Sequence, residues 1–121
     1  MESFRLVVAG GRDFKDYPLM CKFLDSMLRE KAKTHAIVIV CGMARGADKL
    51  GEKYAYERGY QVQPHPANWE EHGKRAGYLR NEEMAKNSDA TVAFWDGVSV
   101  GTKHMINITI KNGNRAVVCN Y

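Results

Sequence analysis

Short apolar runs alternate along the chain with segments in which apolar residues recur every three or four positions, and glycine or proline marks most junctions. Runs of strand length bounded by turn residues predict strands at Arg5 to Ala9, Ala36 to Cys41, Gln61 to His65, Ala90 to Trp95 and Ala116 to Asn120. The spacing between them predicts helices. The first begins near Pro18, a residue suited to a helix's first turn, and puts Leu19, Phe23, Leu24, Met27 and Leu28 on one face. The second spans Ala47 to Arg58, with Asp48 complementing the helix dipole and Gly59 ending it. The third covers about Lys74 to Lys86 and buries Leu79 and Met84.

One segment carries two signals. Ile106, Ile108 and Ile110 alternate as in a strand, and Asn112-Gly113 is a hairpin turn signal before the last apolar run. Against this, a strand, a glycine loop and Thr102 repeat the strand-loop-helix order of the earlier units, with Gly113 as the helix end. The helix is the expectation. Alternating β and α units then define an α/β chain with a Rossmann-like, doubly wound, mostly parallel five-stranded sheet in one domain, residues 1–121.

In such a sheet, ligands bind beyond the carboxyl ends of the strands at the topological switch point. Three glycine loops are expected there: Gly10-Gly11-Arg12-Asp13, Gly42-Met43-Ala44-Arg45-Gly46-Ala47-Asp48, and Asp96-Gly97-Val98-Ser99-Val100-Gly101-Thr102. Glycines let backbone N–H groups approach an anion, and a helix N-terminus adds partial positive charge. Gly10, Gly11, Gly42, Gly46, Gly101 and Thr102 are the candidate donors to phosphate, and Arg12, Arg45 and Arg80 the candidate counter-charges. Asp48 and Asp96 are the candidate acceptors for ribose hydroxyls. Each has a bland alternative: ion pairs to Asp13 or Asp48 for Arg12 and Arg45, a loop-holding role for Arg80, and packing under its own loop for Trp69, which otherwise offers a stacking face for a base.

The 121-residue length suits a single domain, and no apolar run approaches the roughly 18 residues of a membrane span. Met1 to Arg5 lacks signal-peptide character, which points to the cytoplasm. Cys21, Cys41 and Cys119 are odd in number and apolar in setting, so reduced thiols are expected. His35, His65, His72 and His104 have no metal-ligand spacing, so neither a metal nor a resident cofactor is expected. The net charge of +4 favours an anionic partner but is too modest for a protein that coats nucleic acid.

These loops, with Pro66-Ala67-Asn68-Trp69, Gly73, Ala76-Gly77 and Arg80-Asn81, and with Ser99-Val100-Gly101-Thr102, resemble the YspA-type, cpYpsA-related branch of the SLOG superfamily over nearly the whole chain. The resemblance implies a Rossmann-like fold and a nucleotide or nucleotide-derived ligand, bound as by a sensor or binding module. The superfamily includes the LOG, or lysine-decarboxylase-like, nucleotide phosphoribohydrolases, whose pattern places a catalytic arginine on the third helix, matched by Arg80, and a catalytic glutamate after the glycine-threonine pair. Here that position is Met105. Cleaving an N-glycosidic bond needs a carboxylate to stabilise charge on the sugar or to activate water, and methionine does neither, so hydrolysis is the second expectation. The LOG resemblance also implies a homodimer. DNA-processing protein A, another member, holds single-stranded DNA, and its loops are similar to Gly10 to Arg12 and Ala44 to Gly46. Glu70, Glu71, Glu82 and Glu83 interleave with Lys74, Arg75 and Arg80, which breaks a continuous basic track and ranks DNA third.

Overall fold

Five strands, β1 (Ser3–Gly10), β2 (Ala36–Cys41), β3 (Gln61–Pro64), β4 (Ala90–Trp95) and β5 (Arg115–Asn120), form one sheet in the order β3-β2-β1-β4-β5, with every pair parallel. A computed structural model describes all residues, Met1 to Tyr121. The helices are α1 (Tyr17–Leu28), α2 (Ala47–Arg58), the single turn α3 (Trp69–His72), α4 (Ala76–Lys86) and α5 (Val100–Lys111). A 3-10 turn, Gly73–Arg75, separates α3 from α4, so the third expected helix starts two residues later than its spacing suggested. No helix is long and apolar enough to cross a membrane.

Alternation along the strands sorts the core onto two faces. Leu6, Val8, Ile37, Ile39, Val92 and Phe94 point to one face and pack against Met20, Leu24 and Leu28 of α1 and Tyr54 and Ala55 of α2. Val7, Ala9, Val38 and Val40 point to the other, against Met84 and Ala85 of α4 and Met105 of α5. The winding reverses between β1 and β4. The side chain of Asp25 ties α1 to α2 by accepting from Tyr54 Oη at 2.7 Å and from Arg58 Nε and Nη2 at 2.9 Å each.

The ambiguous segment is a helix for a reason its isoleucines conceal. Its buried positions are Thr102, Met105, Ile106 and Thr109, which follow helical spacing, while Ile110 is 59% exposed. Thr109 Oγ1 donates to the Met105 carbonyl and lies 2.8 Å from Thr91 Oγ1 on β4, which pins the helix to the sheet. Gly113, at φ +80°, closes the helix: its N–H donates to the Ile110 carbonyl, and that of Asn114 to Thr109.

Gly46 precedes α2 at φ +78°, and a Cβ there would press on the Gly11 carbonyl and the Arg12 backbone. Gly101 faces open space. Left-handed strain and the clash together predict that Gly46→Ala lowers stability by about 2 kcal/mol or more, whereas Gly101→Ala stays within about 0.5 kcal/mol of the parent. Urea denaturation of the two variants tests this, and coincident midpoints would contradict it.

Candidate functional site

At the carboxyl ends of β1 and β4, where the winding reverses, lies a cleft of about 730 Å³. The first loop supplies Gly10, Gly11, Arg12, Asp13 and Lys15, the second Ala44, Arg45 and Asp48, α4 Arg80, Asn81 and Met84, and the third Asp96, Ser99, Gly101 and Thr102, with Met105 and Ala9 from the core. Arg12, Ala44, Arg45 and Arg80 also line an adjoining recess of about 460 Å³, whose other walls are Gly42, Met43, Pro66, Ala67 and Trp69. Of the residues singled out in the sequence, Gly42 and Trp69 thus belong to the recess alone, and Gly46 lines neither space.

Several expected phosphate donors are already committed to the protein. The Gly11 N–H donates to the Phe94 carbonyl at 3.2 Å, and the Gly11 carbonyl accepts from Phe14 and Ala47 N–H groups, also at 3.2 Å. The Ala44 N–H donates to Asp48 Oδ2 at 3.2 Å. Ser99 caps α5, its hydroxyl lying 3.1 Å from Thr102 Oγ1 and accepting from the Thr102 N–H, so both side chains organise the helix start. Gly42 and Gly46 are glycines because the chain packs on itself there: at Gly42 a Cβ would meet Arg80 Cδ and Asp48 Oδ2 at 2.9 Å each. The N–H groups of Arg12, Asp13, Arg45, Val100 and Gly101 have no partner within the protein.

The side-chain charges are sorted by depth. Arg12 and Arg45 are exposed and make no ion pair, and the same holds for Lys15. Arg80 reaches inward, donates from Nη1 to the Gly42 carbonyl at 2.9 Å and buries an unpartnered Nε. Burial, with Arg12 close by, holds its guanidinium below its ordinary pKa. Arg80 therefore does hold a loop, and it also walls the cleft. Asp48 is buried, and burial pushes its carboxyl up to about 6, against the opposing pull of Arg80, the Ala44 N–H and Arg12. Asp96 is exposed and titrates below its ordinary value, because Oδ1 accepts from the Ser99 and Val98 N–H groups at 2.8 Å. Asp13 Oδ1 accepts from the Tyr121 hydroxyl at 2.7 Å.

Asn81, buried on α4, donates from Nδ2 to the Gly101 carbonyl at 3.2 Å and lies 3.1 Å from His104 Nδ1, which couples α4 to the third loop. Trp69 is 51% exposed, its indole edge over Gly77 of α4. Met43, at φ +65°, is the one non-glycine residue with positive φ, in the loop that carries Arg45. Sequence reasoning passed over Lys15 and Tyr121. Lys15 continues the first glycine loop and was legible as such, whereas the ring of Tyr121, packed edge-on against Phe14 at 4.9 Å, depends on a contact between residues 107 positions apart that only the fold brings about.

An all-parallel 3-2-1-4-5 sheet with its cleft at the switch point defines a Rossmann-like domain. The chain belongs to the YspA, cpYpsA-related SLOG family, whose model matches residues 4–72. The Gene 61 protein of Mycobacterium phage D29 is 38% identical to it, with 90% of each chain covered. Among solved structures, DNA processing protein A (DprA) from Streptococcus pneumoniae superposes with a TM-score of 0.73 at 14% identity, over 97% of this chain. This chain spans 50% of that one's length. The structural-genomics target TM1055 superposes with a TM-score of 0.65 at 18% identity, over 96% of this chain and 72% of that one. At these identities the two structures establish a shared fold.

Because the Asp48 carboxyl titrates near 6 in the folded protein against 3.8 ordinarily, the folded state holds its proton over a range in which the unfolded chain has lost it. Its contribution is therefore greatest below the unfolded pKa and is lost as pH rises through the folded one. Relative to Asp48→Asn, the parent should lose about 2 kcal/mol of stability between about pH 4.5 and about pH 7.5. Denaturant titrations of both proteins at the two pH values check this, and parallel pH profiles would refute it.

Proposed function

We propose that this domain binds a phosphate-bearing nucleotide or nucleotide-derived ligand in the switch-point cleft and acts as a sensor or binding module. The observation that carries this reading is the pair Arg12 and Arg45, two guanidinium groups on the cleft wall with no carboxylate partner. A cleft of about 730 Å³ falls in the range of about 300 to 1,000 Å³ typical of small-molecule sites. The unpartnered N–H groups of Arg12, Asp13, Arg45 and Gly101 add donors for phosphate oxygens. Asp48 and the free Oδ2 of Asp96 add acceptors for sugar hydroxyls. Three free cysteines, with the buried Cys41 thiol pushed up to about 11, fit a reducing compartment such as the cytoplasm.

A second reading, hydrolysis of the bound nucleotide, is favoured by Asp48. This buried carboxyl, raised to about 6, lines the same cleft as Met105, which stands where the LOG pattern has glutamate. A carboxyl poised near neutrality suits general acid-base work. The likeness to DNA processing protein A, a shared fold, does not by itself raise DNA above a compact nucleotide, because Asp13, Asp48 and Asp96 oppose a polyanion along the cleft.

A thermal-shift screen across mono-, di- and cyclic nucleotides should find at least one that raises the melting temperature, since a ligand that binds only the native state stabilises it by mass action. Arg45→Ala should weaken that ligand by about 10- to 150-fold, the equivalent of one charge-assisted hydrogen bond, with unchanged melting of the free protein. Undiminished affinity in Arg45→Ala would defeat the assignment. For turnover, chromatography of nucleoside monophosphates incubated with the parent should show free base released far below about 1 per second. Release at or above that rate, abolished in Asp48→Asn, would establish the hydrolase in place of the sensor.

A further inference from the structure

The two edges of the sheet are built differently. β3, at one edge, is four residues long, carries Gln61 and Gln63, and ends in Pro64, which has no N–H to offer, so it is a poor template for another strand. β5, at the other edge, runs six residues without proline, and between Arg115 and Asn120 its side chains are Ala116, Val117, Val118 and Cys119. β5 pairs with β4 alone. The Tyr121 N–H donates inward to the Trp95 carbonyl, so alternation turns the N–H and C=O groups of Ala116, Val118 and Asn120 outward, away from the sheet. The flanks of this open edge are apolar on both faces. On one face Val117 and Cys119 pack beside Phe23 of α1, whose ring lies 5.9 Å from that of Phe94, the register partner of Cys119. On the other face Val118 is 37% exposed. Ile110, still more exposed, stands on the flank of α5 away from His104, through which α5 meets Asn81 and Tyr78 of α4. An unpaired, apolar strand edge is a surface for association.

We propose that β5 is the interface between two copies of this chain, joined edge to edge and antiparallel about a twofold axis at Val118, so that the two sheets continue as one. A twofold perpendicular to the sheet keeps each face on its own side, so opposed residues must share a face. Centring it on Val118 sets Val118 against its own copy, Ala116 against Asn120 and Val117 against Cys119. The outward N–H and C=O groups then exchange about six hydrogen bonds. Charge is what selects a second copy as the occupant. Arg115, on the same face as Val117 and Cys119, is exposed and has no ion pair. At the opposite end of the edge stand two exposed carboxylates: Asp13, which accepts from the Tyr121 hydroxyl, and Asp16, which adds to the effect of burial in raising the Cys119 thiol. Lys15, the cation between them in sequence, lines the cleft. A strip positive at one end and negative at the other is complementary to itself when reversed, so each Arg115 meets the Asp13 and Asp16 of the other copy. A six-residue strand is about 20 Å long. That is too narrow by itself for the roughly 1,000 Å² of a stable interface, so the flanks at Phe23 and Ile110 are part of it.

Sedimentation equilibrium and amide exchange test this on the whole chain. At about 100 μM the parent should sediment at twice its 13.7 kDa. Val118→Lys sets two ammonium groups against each other at the axis and should weaken the dimer by at least about 100-fold. Arg115→Glu sets a carboxylate against Asp13 and Asp16 of the other copy and should weaken it by at least about tenfold. Both positions are exposed, and near-ultraviolet circular dichroism confirms that the variants fold. The Val118 amide, which faces away from β4, should exchange at least about tenfold more slowly in the parent than in Arg115→Glu at the same concentration, because only a second strand protects it. Should Val118→Lys fail to fold, Arg115→Glu and the Val118 amide decide the matter. A parent that sediments as a monomer would overturn the interface. A dimer that both substitutions leave intact, or a Val118 amide that exchanges equally fast in parent and Arg115→Glu, would place the contact between copies elsewhere and overturn it as well.

Discussion

One carbonyl oxygen holds the site together. Gly11 O accepts from the N–H of Phe14, which closes the first loop, and from the N–H of Ala47, which begins α2. That double acceptance brings the start of α2 into contact with the end of β1, so closely that a Cβ on Gly10 would meet Ala47 Cβ at 2.7 Å and the Phe94 carbonyl oxygen at 2.5 Å. Glycine at 10 and at 46 is a packing requirement, and the shape of the cleft wall follows from it. With α2 drawn against the first loop, Arg12 and Arg45 lie on one wall although they come from different loops. The sheet itself is held separately, by parallel ladders on both sides of β1.

Asp48 shows what the close approach costs. Its carboxyl, turned back onto the Ala44 N–H, is buried without an ion pair, and its raised pKa measures how poorly burial is offset by Arg80 and Arg12. The side chain also fills part of the space at the start of α2, where an anion would otherwise gather. On the reading proposed above, negative charge on a ligand would be directed to the exposed arginines, and the depth of the cleft would suit groups that donate hydrogen bonds. Polarity sorted along one cavity would give such a ligand a direction, which a uniform basic groove would not.

Much of this architecture was legible in the sequence because it rests on local signals. The five strands follow from runs such as Ala36 to Cys41, and the three loops follow from glycines after strands; both are properties of a few adjacent residues. The fifth helix was harder, since Ile106, Ile108 and Ile110 suggest a strand until Thr109 is seen bonded to Thr91, a contact between elements. The site was legible as a set of loops and not as a set of roles. That Arg80 bonds the Gly42 carbonyl, that Ser99 and Thr102 serve the α5 cap, and that Gly46 faces the Gly11 carbonyl all depend on distances between segments far apart in the chain. Residue type identifies a donor; only the fold says whether the donor is already engaged.

Met105 brings core and chemistry into the same position. It is 1% exposed and packs with Val7, Ala9, Val38 and Val40 beneath the sheet, yet it also forms part of the cleft floor. A carboxylate there would have to give up most of its water, and burial would raise its pKa as burial raises that of Asp48. A glutamate at this position would therefore stay charged only with a floor opened to solvent or a cation brought toward it, and Arg80 is already engaged with the Gly42 carbonyl. The methionine is consistent with its surroundings: it packs with Val7, Ala9, Val38 and Val40 of the strands and with Met84 and Ala85 of α4 in the second core.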